Sequence, residues 1–145
     1  MQLTMTGEYA IRAMVHLAGL EPGTIAQISD ISKKWNIPEK FLRKIVARLC
    51  RSGLIKSHRG VHGGVSLSRP ADQITLLEVV EQIEGPLALN KCLVDEDFCS
   101  RITVCAVHDT WNETQVKLKE MLASRTFADL SKMKIPQEQT AQAEV

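Results

Sequence analysis

The sequence is most informative over residues 38–53, which read Pro38-Glu39-Lys40-Phe41-Leu42-Arg43-Lys44-Ile45-Val46-Ala47-Arg48-Leu49-Cys50-Arg51-Ser52-Gly53. Proline suits the first position of a helix, and glycine suits the position just past its end. Between them, apolar residues follow the spacing of one helical face: Phe41, Leu42, Ile45, Val46 and Leu49. The other face carries five cations: Lys40, Arg43, Lys44, Arg48 and Arg51. The stretch therefore predicts a helix that buries one side and presents a basic side to solvent.

Two further helices are predicted on the N-terminal side of this basic helix. Residues 7–20 repeat small and apolar side chains with helical period, and Glu8 lies in the first turn, where the helix dipole favours a carboxylate. Ile28–Trp35 is a shorter amphipathic segment, and Asn36-Ile37 allows only a tight connection to the basic helix. The pattern predicts three consecutive helices.

Two short strands and a helix are predicted on the C-terminal side. Residues 54–58 and 65–68 flank a glycine-rich turn over residues 59–64, which is too long for a two-residue hairpin. Thr75-Leu76-Leu77-Glu78 has the spacing of a capping box, which predicts a helix over Leu76–Glu84. The order predicts a mostly α fold with a small β-hairpin wing, a winged helix-turn-helix domain over residues 1–84.

The basic helix and the wing are the candidate DNA-binding elements. In a helix-turn-helix the last helix enters the major groove, where Lys40, Arg43 and Lys44 reach base edges, while Lys44, Arg48 and Arg51 meet phosphates. At the wing tip, Arg59 is expected to enter a minor groove, and His62 is a second candidate. The alternative is a protein-interaction module whose basic residues are merely solvated.

Charge is divided unevenly along the 145 residues. Net charge is +1, but residues 1–69 sum to +7 and residues 70–145 to −6. Aromatic residues make up only 4%, which argues against a base-stacking platform, and no apolar run near the start is long enough to span a bilayer. We expect a soluble cytoplasmic protein that binds double-stranded DNA, with no membrane partner and no small-molecule substrate.

Three cysteines lie close together in the acidic half, in the pattern Cys92-x6-Cys99-x5-Cys105-x2-His108, whereas Cys50 lies alone in the basic helix. Clustered cysteines in a cytosolic chain favour metal or redox chemistry over disulfides. A zinc site and an iron–sulfur cluster both suit three thiolates and one imidazole. Inert, buried cysteines are the remaining alternative. An enzyme with a cysteine nucleophile is not expected, because no orienting third group or oxyanion donor is recognisable.

A heptad-like seam follows the cysteines. Its members step by three and four residues: Val104, Val107, Trp111, Thr114, Leu118 and Met121. Such a seam predicts a long helix that packs on a partner helix, and an amphipathic helix on its own core is the alternative. We assign residues 104–132 to this dimerisation helix and its end, residues 85–103 to a cysteine-bearing loop, and residues 133–145 to a disordered tail.

Taken together, these residues resemble the Rrf-two family of bacterial transcription regulators, and within it the IscR- and NsrR-like iron–sulfur sensors. The similarity covers residues 1–130. It is carried by the opening Met-Gln-Leu-Thr-Met-Thr-Gly-Glu-Tyr-Ala-Ile-Arg-Ala-Met, by Ile-Lys-Ser-His-Arg-Gly-Val-His-Gly-Gly-Val-Ser-Leu from residue 55, by residues 74–85 and by the three-cysteine loop.

The resemblance implies a homodimer on a pseudo-palindromic operator, with one iron–sulfur cluster per subunit held by Cys92, Cys99 and Cys105. For the fourth ligand it implies either His108 on a 2Fe-2S cluster, which we favour, or Glu8 of the other subunit on a 4Fe-4S cluster. Operator affinity would then follow iron–sulfur status, redox state or nitric oxide. Two alternatives stay open, a cluster-free thiol-redox regulator and a zinc-stabilised winged-helix interaction module.

Overall fold

The computed structural model describes residues 2–133. Six α-helices and one two-stranded sheet follow in the order α1 (Met5–Ala18), α2 (Ile28–Trp35), α3 (Glu39–Arg51), β1 (Ile55–His58), β2 (Gly64–Leu67), α4 (Leu76–Glu84), α5 (His108–Ala123) and α6 (Phe127–Lys132). Single 3-10 turns occur at Ala71–Gln73, Lys91–Leu93 and Ile102–Val104. The predicted mostly helical fold with a β-hairpin wing is confirmed.

The start of α1 is fixed by side chains from two parts of the chain. The Thr4 hydroxyl accepts a hydrogen bond from Gly7 N (3.2 Å), which satisfies a free donor of the first turn. Glu84, at the end of α4, accepts from both Thr4 N (3.0 Å) and Thr4 Oγ1 (2.7 Å). The helix therefore begins at Met5, two residues before the predicted Gly7, because Thr4 is its cap.

The helix-turn-helix connection depends on one left-handed residue. Asn36 adopts φ 51°, a conformation that asparagine tolerates better than most residues. Pro38 was predicted to be the first helical residue of α3, but it occupies the N-cap position one residue earlier. Gly53 (φ 77°) lies just past the end of the helix, as predicted. Trp35 Nε1 donates to His16 Nδ1 (3.1 Å), which links α2 to α1. Burial, followed by the charge of Lys34, lowers the pKa of His16.

The buried face of α3 packs on α1 and α2 and forms the core. The predicted stripe is buried at Leu42, Ile45, Val46 and Leu49. Phe41 was assigned to the same stripe, but it is 43% exposed and contacts Tyr9 edge to face at a centroid distance of 6.1 Å. Its position at the edge of the stripe places it on the boundary between core and solvent.

The wing is attached to the domain by backbone pairing. The antiparallel strands pair from Ile55 with Leu67 to His58 with Gly64. Ala26 exchanges two 2.8 Å hydrogen bonds with Val65, so the segment before α2 adds a bridge to the hairpin. A Cβ at Gly64 would collide with the Ala26 carbonyl oxygen, so this approach requires glycine.

Only half of the predicted capping box forms at α4. The Thr75 hydroxyl accepts from Glu78 N (3.2 Å), as expected for a cap. The Glu78 carboxylate does not return the bond, because it pairs with Arg69 from the end of the wing. Glu78 therefore connects α4 to the wing.

The segment predicted over residues 104–132 contains two helices. Helix α5 begins at His108, after a 3-10 turn that ends at Val104, so the first two members of the seam precede the helix. The chain turns after Ala123, and Thr126 and Asp129 form a full capping box at the start of α6. Phe127 is completely buried in the core of the winged domain. Helix α6 is thus part of that core.

The predicted disordered tail falls, after Met133, outside the described residues. Among residues 2–133, none of the helices has the length and apolar character that crossing a membrane requires.

Replacing Phe127 with Ala tests whether α6 belongs to the core. A fully buried phenylalanine that is truncated to alanine costs about 3–5 kcal/mol of unfolding free energy. Phe98→Ala is the matched control, because Phe98 is 53% exposed and its loss should change stability by less than about 0.5 kcal/mol. Urea unfolding measures both variants. Equal stability of the two would show that α6 is not packed as described.

Candidate functional site

The five basic side chains of α3 lie on one exposed face of the molecule. Lys40, Arg43, Lys44, Arg48 and Arg51 are all exposed, while the apolar side of the same helix is buried. Arg59 and His62, at the tip of the wing, are exposed as well. The structure therefore presents every predicted DNA-contacting residue to solvent.

A cavity joins the basic helix to the wing. Arg43 and Val46 line it from α3, and Gly60, Val61 and Gly63 line it from the wing. The start of α2 closes the third side, with the residues Gln27, Ile28 and Ser29. Helix α3 and the wing thus form one continuous concave surface. Sequence reasoning did not select Gln27 or Ser29, because nothing in their spacing indicates that they lie at the wing.

An ion pair on the basic face was also missed. Glu39 Oε1 accepts from Arg43 Nε (3.1 Å) and Nη2 (2.5 Å). Such i,i+4 pairs stabilise a helix by only about 0.2–0.5 kcal/mol, so the main consequence is the orientation of the Arg43 side chain. The four-residue spacing of the two residues is the signal that indicates the pair.

The first residues of the cysteine loop are hydrogen-bonded to two helices. Leu87 N donates to the Glu81 carboxylate of α4 (3.1 Å), and Leu89 N donates to the Gln115 amide oxygen of α5 (3.0 Å). Glu81 also pairs with Lys119 of α5 (3.3 Å). The first residues of the loop therefore hold α4 and α5 together.

The structure places three of the four predicted ligands around one cavity. Cys92, Cys99 and His108 line one cavity, and all three cysteines are half-buried free thiols. Cys105 does not line this cavity, although its carbonyl oxygen accepts from His108 N (3.3 Å). Cys50 differs from these cysteines. Its thiol packs against the core, and burial raises its pKa, which a hydrogen bond with Ser57 partly opposes.

The residues of the cavity fit an iron–sulfur cluster in their chemistry. Thiolates and imidazole are suitable ligands, and His108 Nδ1 is buried without a hydrogen-bond partner among the described residues. Buried nitrogens of this kind usually have a partner. The positions are not those of a preassembled site, because no three His, Cys, Asp or Glu residues within 2–133 converge closely enough to hold a metal ion.

The alternative fourth ligand has a different position. Glu8 lies on α1, where its carboxylate pairs with Arg12 (3.4 Å), and it is not part of the cysteine cavity of the same chain. A role for Glu8 as a ligand would therefore require the loop of a second subunit.

The predicted dimer seam is largely uncovered in the single chain. Val104, Val107, Trp111, Thr114 and Met121 are exposed, and Leu118 is half-buried. Helix α5, which lies wholly within the described part of the chain, contains no buried residue. The apolar row on α5 is thus free to pack on a second helix.

A basic helix beside a glycine-rich wing, on a helix-turn-helix core, defines a DNA-binding transcription regulator of the winged-helix class. Residues 3–133 match the Rrf2 family, described as iron-dependent transcriptional regulators. The chain belongs to this family. It is a regulator and not an enzyme, as predicted.

Relatives and solved structures agree with this assignment. The chain is 33% identical to a helix-turn-helix regulator of Mycobacterium tuberculosis over 94% of this chain and 85% of the relative. It is 31% identical to one of Haemophilus influenzae, over 90% and 86%. Among structures, CymR of B. subtilis, the global cysteine regulator, matches with a TM-score of 0.75 and 29% identity over 90% and 96% of the two chains. T. potens IscR shares the fold, with a TM-score of 0.69 and 24% identity over 94% of each chain.

Replacing Arg59 with Ala tests the wing. If Arg59 contacts DNA, its loss should weaken binding by about tenfold and reduce the slope of log affinity against log salt by about 1. Fluorescence anisotropy at several salt concentrations, on DNA selected by the wild-type protein from a random library, measures both quantities. Arg125→Ala is the control, because Arg125 is exposed but lies outside α3 and the wing. Unchanged affinity and slope for Arg59→Ala would remove the wing from the interface.

Proposed function

We propose that this chain is a homodimeric regulator whose affinity for a pseudo-palindromic operator is controlled by an iron–sulfur cluster bound to Cys92, Cys99 and Cys105. The observation that carries the proposal is the cavity in which Cys92 and Cys99 lie with His108, whose buried Nδ1 has no hydrogen-bond partner within residues 2–133. The family description, iron-dependent transcriptional regulator, supports the presence of iron.

The DNA contacts are assigned from the exposed basic residues. Helix α3 enters the major groove, where Lys40, Arg43 and Lys44 lie near base edges and Lys44, Arg48 and Arg51 meet phosphates. Arg59 and His62 extend the interface through the wing. Two such surfaces, related by a two-fold axis, would read the two half-sites of a palindrome.

The dimer is assigned to the uncovered row on α5 and the residues before it. Val107, Trp111 and Met121 are each more than 40% exposed, which is unusual for large apolar side chains that recur on one helix face. Packing on the same row of a second copy would bury them in a self-complementary contact.

His108 is the favoured fourth ligand, with a 2Fe-2S cluster. It lines the same cavity as Cys92 and Cys99, whereas Glu8 is paired with Arg12. A 4Fe-4S cluster with Glu8 of the other subunit is the alternative. When bound, the cluster supplies a centre that changes with oxidation, nitric oxide or iron supply.

The loop is suited to transmit a change at the cysteines to the dimer helix. Cys92 and Cys99 lie between two anchors, since Leu89 is bonded to Gln115 of α5 and His108 begins the same helix. Gathering the three cysteines and His108 around a cluster would require the loop to rearrange, because no three of these residues converge closely enough within residues 2–133. Such a rearrangement would alter the placement of α5 and so the spacing of the two wings.

A thiol-redox regulator without a cluster is the second candidate function. The cysteines are free thiols, and no metal-binding geometry is formed among the described residues. The similar structure of B. subtilis CymR is that of a global cysteine regulator, so family members are not limited to regulators named for iron–sulfur clusters. A zinc-stabilised interaction module has less support, because the family is one of transcription regulators.

Replacing Cys92, Cys99 or Cys105 singly with Ala tests the cluster. Each change should abolish the bound iron and acid-labile sulfide and the visible absorption of protein purified without oxygen, while gel filtration still gives a dimer. Cys50→Ala is the matched control and should keep the cluster. A wild-type protein that lacks iron and sulfide would overturn the proposal in favour of thiol chemistry, or of zinc if zinc is found.

Replacing His108 and Glu8 separately with Ala identifies the fourth ligand. If His108 is the ligand, His108→Ala should change the visible spectrum and speed cluster loss in air, whereas Glu8→Ala should leave both unchanged. The opposite result would assign the ligand to Glu8 and favour the 4Fe-4S cluster. The ratio of iron to subunit distinguishes two irons from four.

A further inference from the structure

Glu39 is the single acidic residue of α3, and it lies on the face that carries the five cations. A carboxylate on a surface that meets phosphates weakens non-specific attraction to DNA. On this surface Glu39 accepts two hydrogen bonds from Arg43, so the carboxylate and the guanidinium form a pair.

The geometry of the pair leaves one edge of the guanidinium free. Arginine has five N–H donors in a planar fork. Glu39 occupies the edge that contains Nε and one N–H of Nη2, at 3.1 and 2.5 Å. The opposite edge, with Nη1 and the second N–H of Nη2, can still form two parallel hydrogen bonds. The O6 and N7 atoms of guanine match such a pair of donors in the major groove.

The location of the pair suits base reading. Glu39 and Arg43 lie in the first two turns of α3, the end of a recognition helix that approaches base edges. Arg43 is 60% exposed, and it also lines the cavity between α3 and the wing. A free arginine side chain must lose considerable rotamer freedom on binding, and the bond to Glu39 restricts that freedom beforehand.

We propose that Glu39 and Arg43 form one specificity-determining unit that reads a guanine in each operator half-site, with Arg43 contacting the base and Glu39 acting as its positioning residue. The proposal rests on the proposed entry of α3 into the major groove. Glu39 favours specific over non-specific binding in two ways, because it orients Arg43 and opposes random contact with phosphates.

The test is selection from a random DNA library, followed by affinity measurements on single-base variants of the selected site. The wild-type protein should select a guanine at one position of each half-site. Arg43→Ala should lose the preference at that position alone. Glu39→Gln keeps the size of the side chain but removes its charge, and it should reduce the preference for that guanine by about tenfold. The same variant should bind unrelated DNA more tightly and with a steeper salt dependence.

Glu113→Gln is the matched control. Glu113 forms the same type of i,i+4 pair with Lys117 (2.5 Å), but on α5 and away from the basic face. It should change neither base preference nor non-specific affinity. If Glu39→Gln alters affinity for all sequences by one factor and keeps every base preference, Glu39 is not a positioning residue and the proposal is wrong. If the wild-type protein selects no sequence at all, the proposed placement of α3 fails as well.

Discussion

Two backbone hydrogen bonds between distant segments determine how the parts of this molecule are arranged. Leu76 N donates to the Arg125 carbonyl (2.8 Å), and Phe127 N donates to the Ile74 carbonyl (2.9 Å). They pair the chain that follows α5 with the chain that precedes α4. Residues 85–125 carry the three clustered cysteines and α5. They leave the winged domain after α4 and return to it at this backbone pairing, next to the fully buried Phe127.

Helix α1 connects these paired segments to the helix that carries the basic surface, α3. It packs against α3, α4 and α6. Its start is held by Glu84, the last residue before the chain leaves the domain. The predicted DNA-contacting cations thus lie on α3 and the wing, whereas the three clustered cysteines lie within residues 85–125. In the proposed dimer, a rigid core between them would let a change at the cysteines alter the relative placement of the two subunits without disrupting either DNA-binding domain.

Local signals in the sequence predicted the winged domain well. Pro38 and Gly53 bracket α3 to within one residue, because the cap geometry of a helix is set by its neighbours in sequence. The start of α5 was less predictable, since Val104 and Val107 continue its apolar period although they lie in or after a 3-10 turn. The return of α6 to the core depends on contacts of Phe127 with residues far away in the chain, which periodicity does not reveal.

The candidate sites show the same difference between features set by local spacing and features set by contacts between distant residues. The basic face followed directly from the spacing of cations on one helix, and the pairing of Glu39 with Arg43 was recognisable at the same spacing. The grouping of Cys92 and Cys99 with His108 in one cavity was suggested by composition, but the position of Cys105 outside its lining depends on the path of an aperiodic loop. The sequence also contained no sign that Leu87 and Leu89 are bonded to Glu81 and Gln115.

Under the proposed function, the cysteine loop controls DNA affinity through a bound cluster. This control is measured as the operator affinity of one anaerobic preparation before and after removal of its iron by a chelator, with Cys92→Ala treated in parallel. Chelation should change the affinity of the wild-type protein at least about tenfold, the scale of a typical coupling free energy between sites. Cys92→Ala should have the affinity of the iron-free protein throughout. Equal affinity of the wild-type protein with and without iron would show that no cluster controls DNA binding.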